Sequence, residues 1–465
     1  PIVYCDGYVY TGFWNSETNN ANFICLSITD EDPTQSKENK CASWYHTAAG
    51  GYYWAGAYAC DDYVLIGTDD GTTGCVGQSS DLLAFDPITG QLLDVWADLN
   101  GDIRSTVVYD SATDAYYFTS KGGSFYCVRL EETDDGWQFA DQWCVELNNG
   151  SEATPMSTSS PAVYNGRAYV GVSGSSQFGA YSGHNITVID LKQKTIAYSV
   201  QTQGYPQTSG LITTAYEEES GYVYAYFFDN MTPGKIRVLR DKAGQKTADY
   251  MTQEGQYKTA YALFTPVGDH AQYAICSPIV DAYGTVYYKN DSAHLMAFGS
   301  AIKKIEVTAN PDKMVYEAGA QFDPAGMVVT ATYANGMTRD VTAYVTFTQD
   351  PITEENTTIT ISFPYTMYHN AEDGSAMTAG VESSAPMTTL TVSIGQEEPD
   401  VQLGDVNGDG WVDTEDAGMV IDYYYGIREL TEQQLLSADV NGDGWIDTED
   451  AGKIIDYYYG IISDF

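Results

Sequence analysis

The chain of 465 residues carries 64 acidic and 21 basic residues, which gives a formal net charge of −43. This charge predicts no association with nucleic acid or with anionic membranes, because their phosphates would be repelled. No apolar stretch is long enough to span a bilayer, so no transmembrane segment is predicted. A chain of this length is expected to hold two or three domains.

A degenerate strand pattern fills residues 1–300. Each unit has an apolar strand, a glycine turn and a second strand rich in Tyr and Val, which is typical of a β-hairpin. Further strand-forming segments follow at 82–96, 124–130, 186–200 and 294–299. Repeats of roughly fifty to sixty residues made of antiparallel strands predict a β-propeller. The six hairpin units lie at Pro1–Tyr10, Asp61–Ile66, Val107–Phe118, Pro161–Val170, Tyr216–Phe227 and Pro278–Tyr287.

The segment Ala84–Gly90 resembles the blade signature of the quinoprotein (PQQ-like) propeller superfamily. Asp86 and Gly90 belong to the turn of that signature, whereas Asp94 stands where the family usually has tryptophan. Such propellers usually have seven or eight blades, so the resemblance implies one or two further N-terminal blades. PQQ itself is not expected, because the family's quinone enzymes carry a disulfide between adjacent cysteines and this sequence has none.

The cysteines do not indicate a metal or redox site, because they form no CxxC motif and no Cys/His cluster. In an oxidising setting, Cys25 with Cys41 and Cys60 with Cys75 could close surface loops. Several of the others lie in apolar strand patterns, where buried free thiols are expected. All eight precede residue 300: Cys5, Cys25, Cys41, Cys60, Cys75, Cys127, Cys144 and Cys276.

Aromatic residues are dense in this region, and the chain has 39 tyrosines. Aromatic faces stack on sugar rings by burying their apolar C–H surface, so the tightest cluster is a candidate glycan-binding face. The alternative is that these residues simply pack within and between strands. The cluster comprises Trp44, Tyr45, Tyr52, Tyr53 and Trp54.

Catalytic residues cannot be assigned from the sequence. Glycoside cleavage needs two carboxylates beside the scissile bond, and 64 acidic residues offer too many candidate pairs. The five histidines are scattered and form no Ser/His/Asp, HExxH or nucleophile-elbow pattern.

Residues 301–395 change character, with short strands that alternate apolar and polar residues and a hairpin turn at Ala334–Gly336. The Tyr316–Gly319 step and the strand before this turn resemble bacterial Ig-like domains. The resemblance implies a spacer, with carbohydrate binding as a minor alternative. The acidic segment 396–402 is predicted to be a linker.

The C-terminal region contains one twelve-residue pattern twice, DVNGDGWVDTED at 405–416 and DVNGDGWIDTED at 439–450. Oxygen-bearing side chains occupy positions 1, 3, 5, 9 and 12, position 6 is glycine, and an EF-hand loop also uses the backbone carbonyl of position 7. The two loops are therefore predicted to bind one Ca²⁺ each. The predicted ligands are Asp405, Asn407, Asp409, Trp411, Asp413 and Asp416, then Asp439, Asn441, Asp443, Trp445, Asp447 and Asp450.

Helical spacing follows each loop, at Thr414–Tyr425 and Thr448–Tyr459, and a capping-box pattern at Thr431–Gln434 predicts a short connecting helix. No helical pattern precedes the first loop. Tandem loop–helix units with Asp at the twelfth loop position resemble the type I dockerin family over residues 403–465. The Tyr triplets in DYYYGI, which closes each copy, are predicted to pack within and between the repeats.

The dockerin resemblance implies a cohesin module of a scaffoldin as the partner, and a secreted protein in a cellulosome-like complex. Because the copies match, either could dock after a half-turn of the module. The Thr-Glu pairs differ from the hydroxyl pairs common in the family. The implied cohesin-binding residues are Thr414, Glu415, Ile421 and Asp422, and in the second copy Thr448, Glu449, Ile455 and Asp456.

The predicted fold is thus mainly β: a multi-blade propeller over 1–300, an Ig-like β-sandwich over 301–395, the linker 396–402, and a small all-α dockerin over 403–465. The predicted function is extracellular docking to a scaffoldin, with the propeller binding glycan or protein. The alternative is a polysaccharide-degrading enzyme with its active site on the propeller. No signal peptide precedes Pro1, so we expect a processed or trimmed chain.

Overall fold

The structure is a computed structural model, and it describes residues 1–37, 39–73, 79–148, 150–151, 153–174, 183–348, 350–364, 369–370, 377–378, 385–395 and 401–465. The chain divides into two compact units. The first comprises residues 1–302, 333–337 and 365–385, and the second comprises residues 303–332, 338–364 and 386–465.

Six antiparallel sheets follow one another in the described part of residues 1–302, and each takes its strands from one stretch of chain. The first sheet contains β1 (Ile2–Cys5), β2 (Tyr8–Gly12), β3 (Ala21–Ser27) and β4 (Trp44–Ala48). The second contains β5 (Tyr58–Ala59), β6 (Val64–Gly67), β7 (Ser79–Phe85) and β8 (Leu92–Asn100). The third contains β9 (Val108–Asp110), β10 (Ala115–Thr119), β11 (Ser124–Thr133) and β12 (Gly136–Glu146).

The remaining three sheets continue this order. The fourth contains β13 (Pro155–Met156), β14 (Ala162–Tyr164), β15 (Arg167–Gly174), β16 (Asn185–Asp190) and β17 (Thr195–Gln201). The fifth contains β18 (Leu211–Thr213), β19 (Val223–Phe228), β20 (Ile236–Asp241), β21 (Met251–Glu254) and β22 (Tyr257–Phe264), with the short helix α1 (Glu217–Ser220) before β19. The sixth contains β23 (Ile279–Val280), β24 (Val286–Lys289) and β25 (Leu295–Phe298).

Hydrophobic cores lie between consecutive sheets. Successive residues of a strand point to opposite faces, so Val64 and Ile66 pack toward the first sheet while Leu65 packs toward the third. Similar clusters join the third sheet to the fourth, the fourth to the fifth and the fifth to the sixth. Sheets of about four strands stacked face to face in chain order are the blades of a β-propeller.

Four of the predicted hairpins are confirmed, because their ranges each contain two paired strands: Pro1–Tyr10, Val107–Phe118, Pro161–Val170 and Pro278–Tyr287. The ranges Asp61–Ile66 and Tyr216–Phe227 each hold only the second strand of a pair, because β5 and β18 lie before them. The segments 82–96 and 186–200 each hold two strands instead of one. In the first of these the turn is closed by Asp86, whose carboxylate accepts the backbone N–H of Ile88 and of Thr89. Gly90 has a φ of +71°, a conformation that glycine adopts without strain.

The cysteines of this unit that the structure describes are free thiols, including buried Cys25 and exposed Cys41. The Cys25–Cys41 bridge is therefore not formed. Cys75, the predicted partner of Cys60, lies outside the described residues.

Short strands form residues 302–394: β26 (Ile302–Ala309), β27 (Val315–Tyr316), β28 (Val328–Tyr333), β29 (Thr338–Asp340), β30 (Thr346–Phe347), β31 (Thr358–Ser362), β32 (His369–Asn370), β33 (Met377–Thr378), β34 (Met387–Thr391) and β35 (Ser393–Ile394). Strands β26, β28 and β29 form one sheet, and β30, β31 and β34 form another. The predicted turn joins β28 to β29. Membership in the Ig-like family stays a prediction.

Three helices form the C-terminal region: α2 (Thr414–Tyr424), α3 (Glu432–Ala438) and α4 (Thr448–Tyr458). Capping boxes begin all three, with Asp413, Thr431 and Asp447 as N-caps. A small core of Val and Ala with Ile454 joins α2, α3 and α4. Within the described part of the chain, no helix has the length and apolarity to cross a membrane.

Candidate functional site: paired acidic loops and an aromatic column

The first acidic loop (405–416) is folded around its own first and last carboxylates. Asp405 accepts the backbone N–H groups of Gly408 and Gly410, each at 2.8 Å. Asp416 accepts from Val406 at 2.8 Å and from the N-cap Asp413 at 2.9 Å. The loop thus brings its oxygen-bearing side chains into a single turn of chain.

The second acidic loop (439–450) repeats these hydrogen bonds. Asp439 accepts from Gly444 at 2.9 Å, and Asp450 accepts from Asp447 at 3.0 Å. The glycines at position 6 have nearly the same left-handed conformation, with φ of +86° at Gly410 and +84° at Gly444. The near-identity of the two sequences is therefore also an identity of local structure.

The donor chemistry of the loops fits a hard cation. All the side-chain donors are oxygens, which Ca²⁺ prefers. Asp416 and Asp450 are fully buried, and among the described residues no Lys or Arg forms an ion pair with either. Burial raises the pKa of Asp416, although the N–H groups that it accepts oppose this rise. A buried anion without a basic partner is costly unless a cation lies beside it.

The carboxylates of the loops are bonded to backbone groups in this structure. Within the described ranges, no group of three or more His, Cys, Asp or Glu side chains is arranged to hold a metal ion. The fit to calcium therefore rests on the identity and order of the donors and on the unpaired buried charge. It does not rest on an assembled coordination sphere.

The implied cohesin-binding residues lie on equivalent parts of α2 and α4. Residues seven apart are close to two helical turns apart and so share a face. The Thr-Glu pair of each copy is exposed, whereas Asp422 and Asp456 are half-buried. The copies differ at one position, because Ile421 packs partly against the core while Ile455 is more exposed.

The prediction that the Tyr triplets pack within the repeats is wrong for four of the six residues. Tyr425 and Tyr459 are 67% and 68% exposed, and Tyr424 and Tyr458 are about half exposed. The last core residue of α2 is Val420, and the helix extends one turn beyond it, so the triplet overhangs a small core. Tyr457 is an exception in that its ring stacks on Phe465 at 4.8 Å.

The structure divides the aromatic cluster predicted in the propeller into buried and exposed residues. Trp44 is buried between the first two sheets, where its indole N–H donates to the carbonyl of Pro87 at 2.9 Å. Tyr52 is buried in the same core. These two residues therefore offer no ring face to a ligand, which corrects their assignment. Tyr45 follows Trp44 along β4 and points outward.

Tyr53 and Trp54 instead form a stack with a residue that the sequence did not single out. The ring of Tyr53 lies 4.5 Å from that of Trp14 and 4.6 Å from that of Trp54, with interplanar angles of 29° and 21°. Trp14 and Trp54 are 42% and 41% exposed. We call these three residues the aromatic column. Its members come from the connection between β2 and β3 and from the connection between β4 and β5.

A buried ion network fixes the centre of the column. The guanidinium carbon of Arg104 lies 4.6 Å from the ring centroid of Tyr53, a cation–π distance. Arg104 donates to both oxygens of Asp69, at 3.2 and 2.8 Å, and lies 2.9 Å from Asp102. Lys121 donates to Asp102 at 2.8 Å. The side chains of Asp69 and Asp102 are almost fully buried, so they position Arg104 and do not reach a ligand.

The connection that carries the column is held in an unusual backbone conformation. Gly50, Gly51 and Trp54 all have positive φ, of +69°, +73° and +59°. For a bulky aromatic residue this is an outlier that costs on the order of 1–3 kcal/mol. Such strain persists only where the surroundings enforce it, and it is common at functional sites.

One carboxyl of the network has a strongly shifted pKa. Burial raises the pKa of Asp69 to about 7, repulsion from Asp102 adds to the rise, and Arg104 opposes it. A raised carboxyl pKa is a property of general acids. Because both oxygens of Asp69 are bonded to buried Arg104, however, the shift belongs to a structural ion network.

Comparison with known proteins bears first on the C-terminal region. Residues 403–457 match the Dockerin type I domain family, so the chain carries a type I dockerin domain at its C-terminal end. Dockerin domains of this type typically bind calcium, dock to cohesins and belong to extracellular cellulosome components. None of the curated proteins matches the chain.

Solved structures resemble the chain only distantly. BamB from Moraxella catarrhalis has 13% identity and a TM-score of 0.29, covering 73% of this chain and 94% of its own. The Dos1 propeller has 10% identity and a TM-score of 0.39, covering 76% and 86%. The C-terminal WD40 domain of Sif2 has 11% identity and a TM-score of 0.34, covering 77% and 75%. Such scores carry no argument about function, and the strand pairing described above defines the propeller.

Proposed function

We propose that this protein is an extracellular component of a cellulosome-like, polysaccharide-degrading complex at the cell surface. Its dockerin binds a scaffoldin cohesin and thereby presents the propeller as a module that binds glycan or protein. The observation that carries the proposal is the repeated acidic loop followed by a capped helix. The proposed domains are the propeller at 1–300, the Ig-like spacer at 301–395, the linker at 396–402 and the dockerin at 403–465.

Two Ca²⁺ ions are part of this proposal. In each loop the side chains at positions 1, 3, 5, 9 and 12 and the backbone carbonyl at position 7 would hold one ion. Calcium would offset the buried charge of Asp416 and Asp450 and so favour the folded domain. The dockerin has 15 acidic and two basic residues, so little internal positive charge is available for this purpose.

The proposed cohesin-binding surface is the matched face of α2 and α4. Each copy offers an exposed Thr-Glu pair and, two turns later, an Ile-Asp pair. Since the copies are nearly identical, we propose that either helix can face the cohesin after a half-turn of the domain.

The test is a binding series against a panel of cohesins with the full chain. The changes Ile421→Asp and Ile455→Asp place a charge on one helix face each. We expect each single variant to bind within about threefold of the wild type, because the other copy remains available, and the double variant to lose at least 100-fold in affinity (about 2.7 kcal/mol). Thr342→Ala, in the Ig-like segment, serves as the control and should bind like the wild type. Full binding by the double variant would refute the proposed surface.

A binding role is proposed for the propeller because Asp69, whose pKa burial raises to about 7, is held against Arg104 and is not placed to reach a ligand. Reducing-sugar release and pull-down on the same polysaccharides separate binding from catalysis. Binding without release supports the module, whereas release with turnover would replace it with the alternative of a polysaccharide-degrading enzyme.

A further inference from the structure

The aromatic column has the features of a built site. The ring of Tyr53 contacts the indoles of Trp14 and Trp54, which come from different connections of the first blade. Trp14 and Trp54 each keep about two-fifths of their surface exposed. Exposed aromatic residues scattered singly need no explanation. Two half-exposed tryptophans stacked on the same tyrosine are not a scattered arrangement, and their clustering at one place on the propeller requires a reason.

The position of Trp54 is not explained by packing. Its ring lies at the surface, and its backbone has a φ of +59°, which glycine would adopt without strain. Gly51, in the same connection, allows it to pass close to the first sheet, because a Cβ there would press against Ala21 and the carbonyl of Phe13. The connection is thus constrained to display an exposed indole in a conformation that is unfavourable for folding.

The column is also preorganised. Tyr53 rests against the guanidinium of Arg104, which buried Asp69 and Asp102 hold by hydrogen bonds and ion pairs. A ligand that stacks on the two indoles therefore does not have to order the central ring. Preorganisation of this kind reduces the entropic cost of binding.

The charges around the column select the chemistry of the ligand. Glu17, Asp69 and Asp102 all lie within ion-pair distance of Arg104, so the positive charge beside the column is offset. The chain as a whole carries −43. An acidic polysaccharide or a nucleotide would be repelled, whereas the apolar C–H faces of an uncharged sugar ring are suited to an indole face.

We propose that Trp14, Tyr53 and Trp54 form a binding site for an uncharged polysaccharide, whose sugar rings stack on the exposed indoles while Tyr53 holds the indoles in place. This inference rests on the proposed role of the propeller as a glycan-binding module and names its site and ligand class. It does not depend on the dockerin.

The test uses the full chain in binding assays with neutral polysaccharides (cellulose, xylan, mannan and starch) and with polygalacturonate as the acidic probe. The variants are Trp14→Ala and Trp54→Gly. The second removes the indole and leaves a residue that favours the observed backbone, so loss of binding cannot be attributed to misfolding. Tyr4→Ala is the matched control, since Tyr4 is an exposed tyrosine on β1 of the same sheet and lies outside the column.

We expect the wild type to bind at least one neutral polysaccharide and not polygalacturonate. Trp14→Ala and Trp54→Gly should each weaken binding at least tenfold, and Tyr4→Ala should bind like the wild type. If both variants still bind the neutral polysaccharide as the wild type does, this site is refuted, although the propeller would still be a glycan-binding module. The inference would be overturned if the wild type bound no neutral polysaccharide or preferred polygalacturonate. Cohesin binding, measured on the same samples, would show separately whether the docking proposal holds.

Discussion

The acidic loops of the dockerin and the aromatic column of the propeller are built in opposite ways. Each loop is contiguous in the chain, and its hydrogen bonds span at most ten residues. The column joins Trp14 to Tyr53, and Arg104 reaches it from beyond the second sheet. A local site can be recognised from spacing alone, whereas a site assembled from distant segments appears only once the sheets have packed.

The largest expected effect is the removal of calcium. Without cations the carboxylates of each loop repel one another, so we expect chelation to unfold the dockerin and leave the propeller folded. Lys453 lies on α4 and should be protected from trypsin when the domain is folded. Cleavage after Lys453 should accelerate at least tenfold in chelator, and likewise in Asp405→Asn/Asp439→Asn with calcium present. Asp464→Asn is the control outside the loops. Equal cleavage rates with and without calcium would contradict a stabilising role of the ion.

A second prediction concerns two glycines with opposite roles. A Cβ at Gly171 would overlap the carbonyl oxygen of Pro206, so Gly171→Ala should lower the free energy of unfolding of the propeller by about 1–3 kcal/mol. Gly418 lies in α2 with open space around it, and Gly418→Ala should stabilise the dockerin by up to about 1 kcal/mol. Denaturant unfolding, followed by tryptophan fluorescence and by helical circular dichroism, measures the two changes. The prediction would be contradicted if both substitutions changed the free energy of unfolding in the same direction.

The third prediction concerns pH. The pKa of Asp69 is about 7 in the folded propeller, and an unfolded aspartate has about 3.9. The folded state therefore binds the proton more tightly. The stability that this proton contributes is fully present below about pH 4 and is lost as the pH rises through 7. Between pH 7.5 and 5 the free energy of unfolding should rise, by at most about 1.4 kcal/mol per unit of pKa shift.

Asp69→Asn should flatten this pH slope, and Asp86→Asn provides the matched comparison. Burial alone would raise the pKa of Asp86, but hydrogen bonds from Thr89 and Ile88 lower it overall. Its contribution is therefore present above the unfolded pKa and is lost as the pH falls through the folded one. Between pH 5 and 7.5 this second change should leave the slope unaltered. Equal slopes in Asp69→Asn and the wild type would contradict the assignment.

The smallest expected effect is on stability at Trp54. Replacing this residue with glycine removes the strain of its positive φ, which offsets the loss of the contact between its half-exposed ring and Tyr53. Trp54→Gly should therefore unfold within about 1 kcal/mol of the wild type or be slightly more stable. Thermal unfolding of the propeller measures this, with Trp44→Gly as the contrast, since loss of a buried tryptophan should cost about 3–5 kcal/mol.

The sequence by itself determined most of the blade hairpins, the three C-terminal helices and the acidic loops, because turns and loop spacing depend on residues close together in the chain. It also located the aromatic-rich segment of the first blade. It did not determine which of those rings are buried, because Trp44 and Tyr45 differ only in which face of β4 they occupy. The Tyr triplets have the same helical spacing whether buried or exposed, and the size of the core decides their environment. Only the packing of the first two sheets brings Trp14 and Arg104 to Tyr53, since contacts between distant residues are set by tertiary structure.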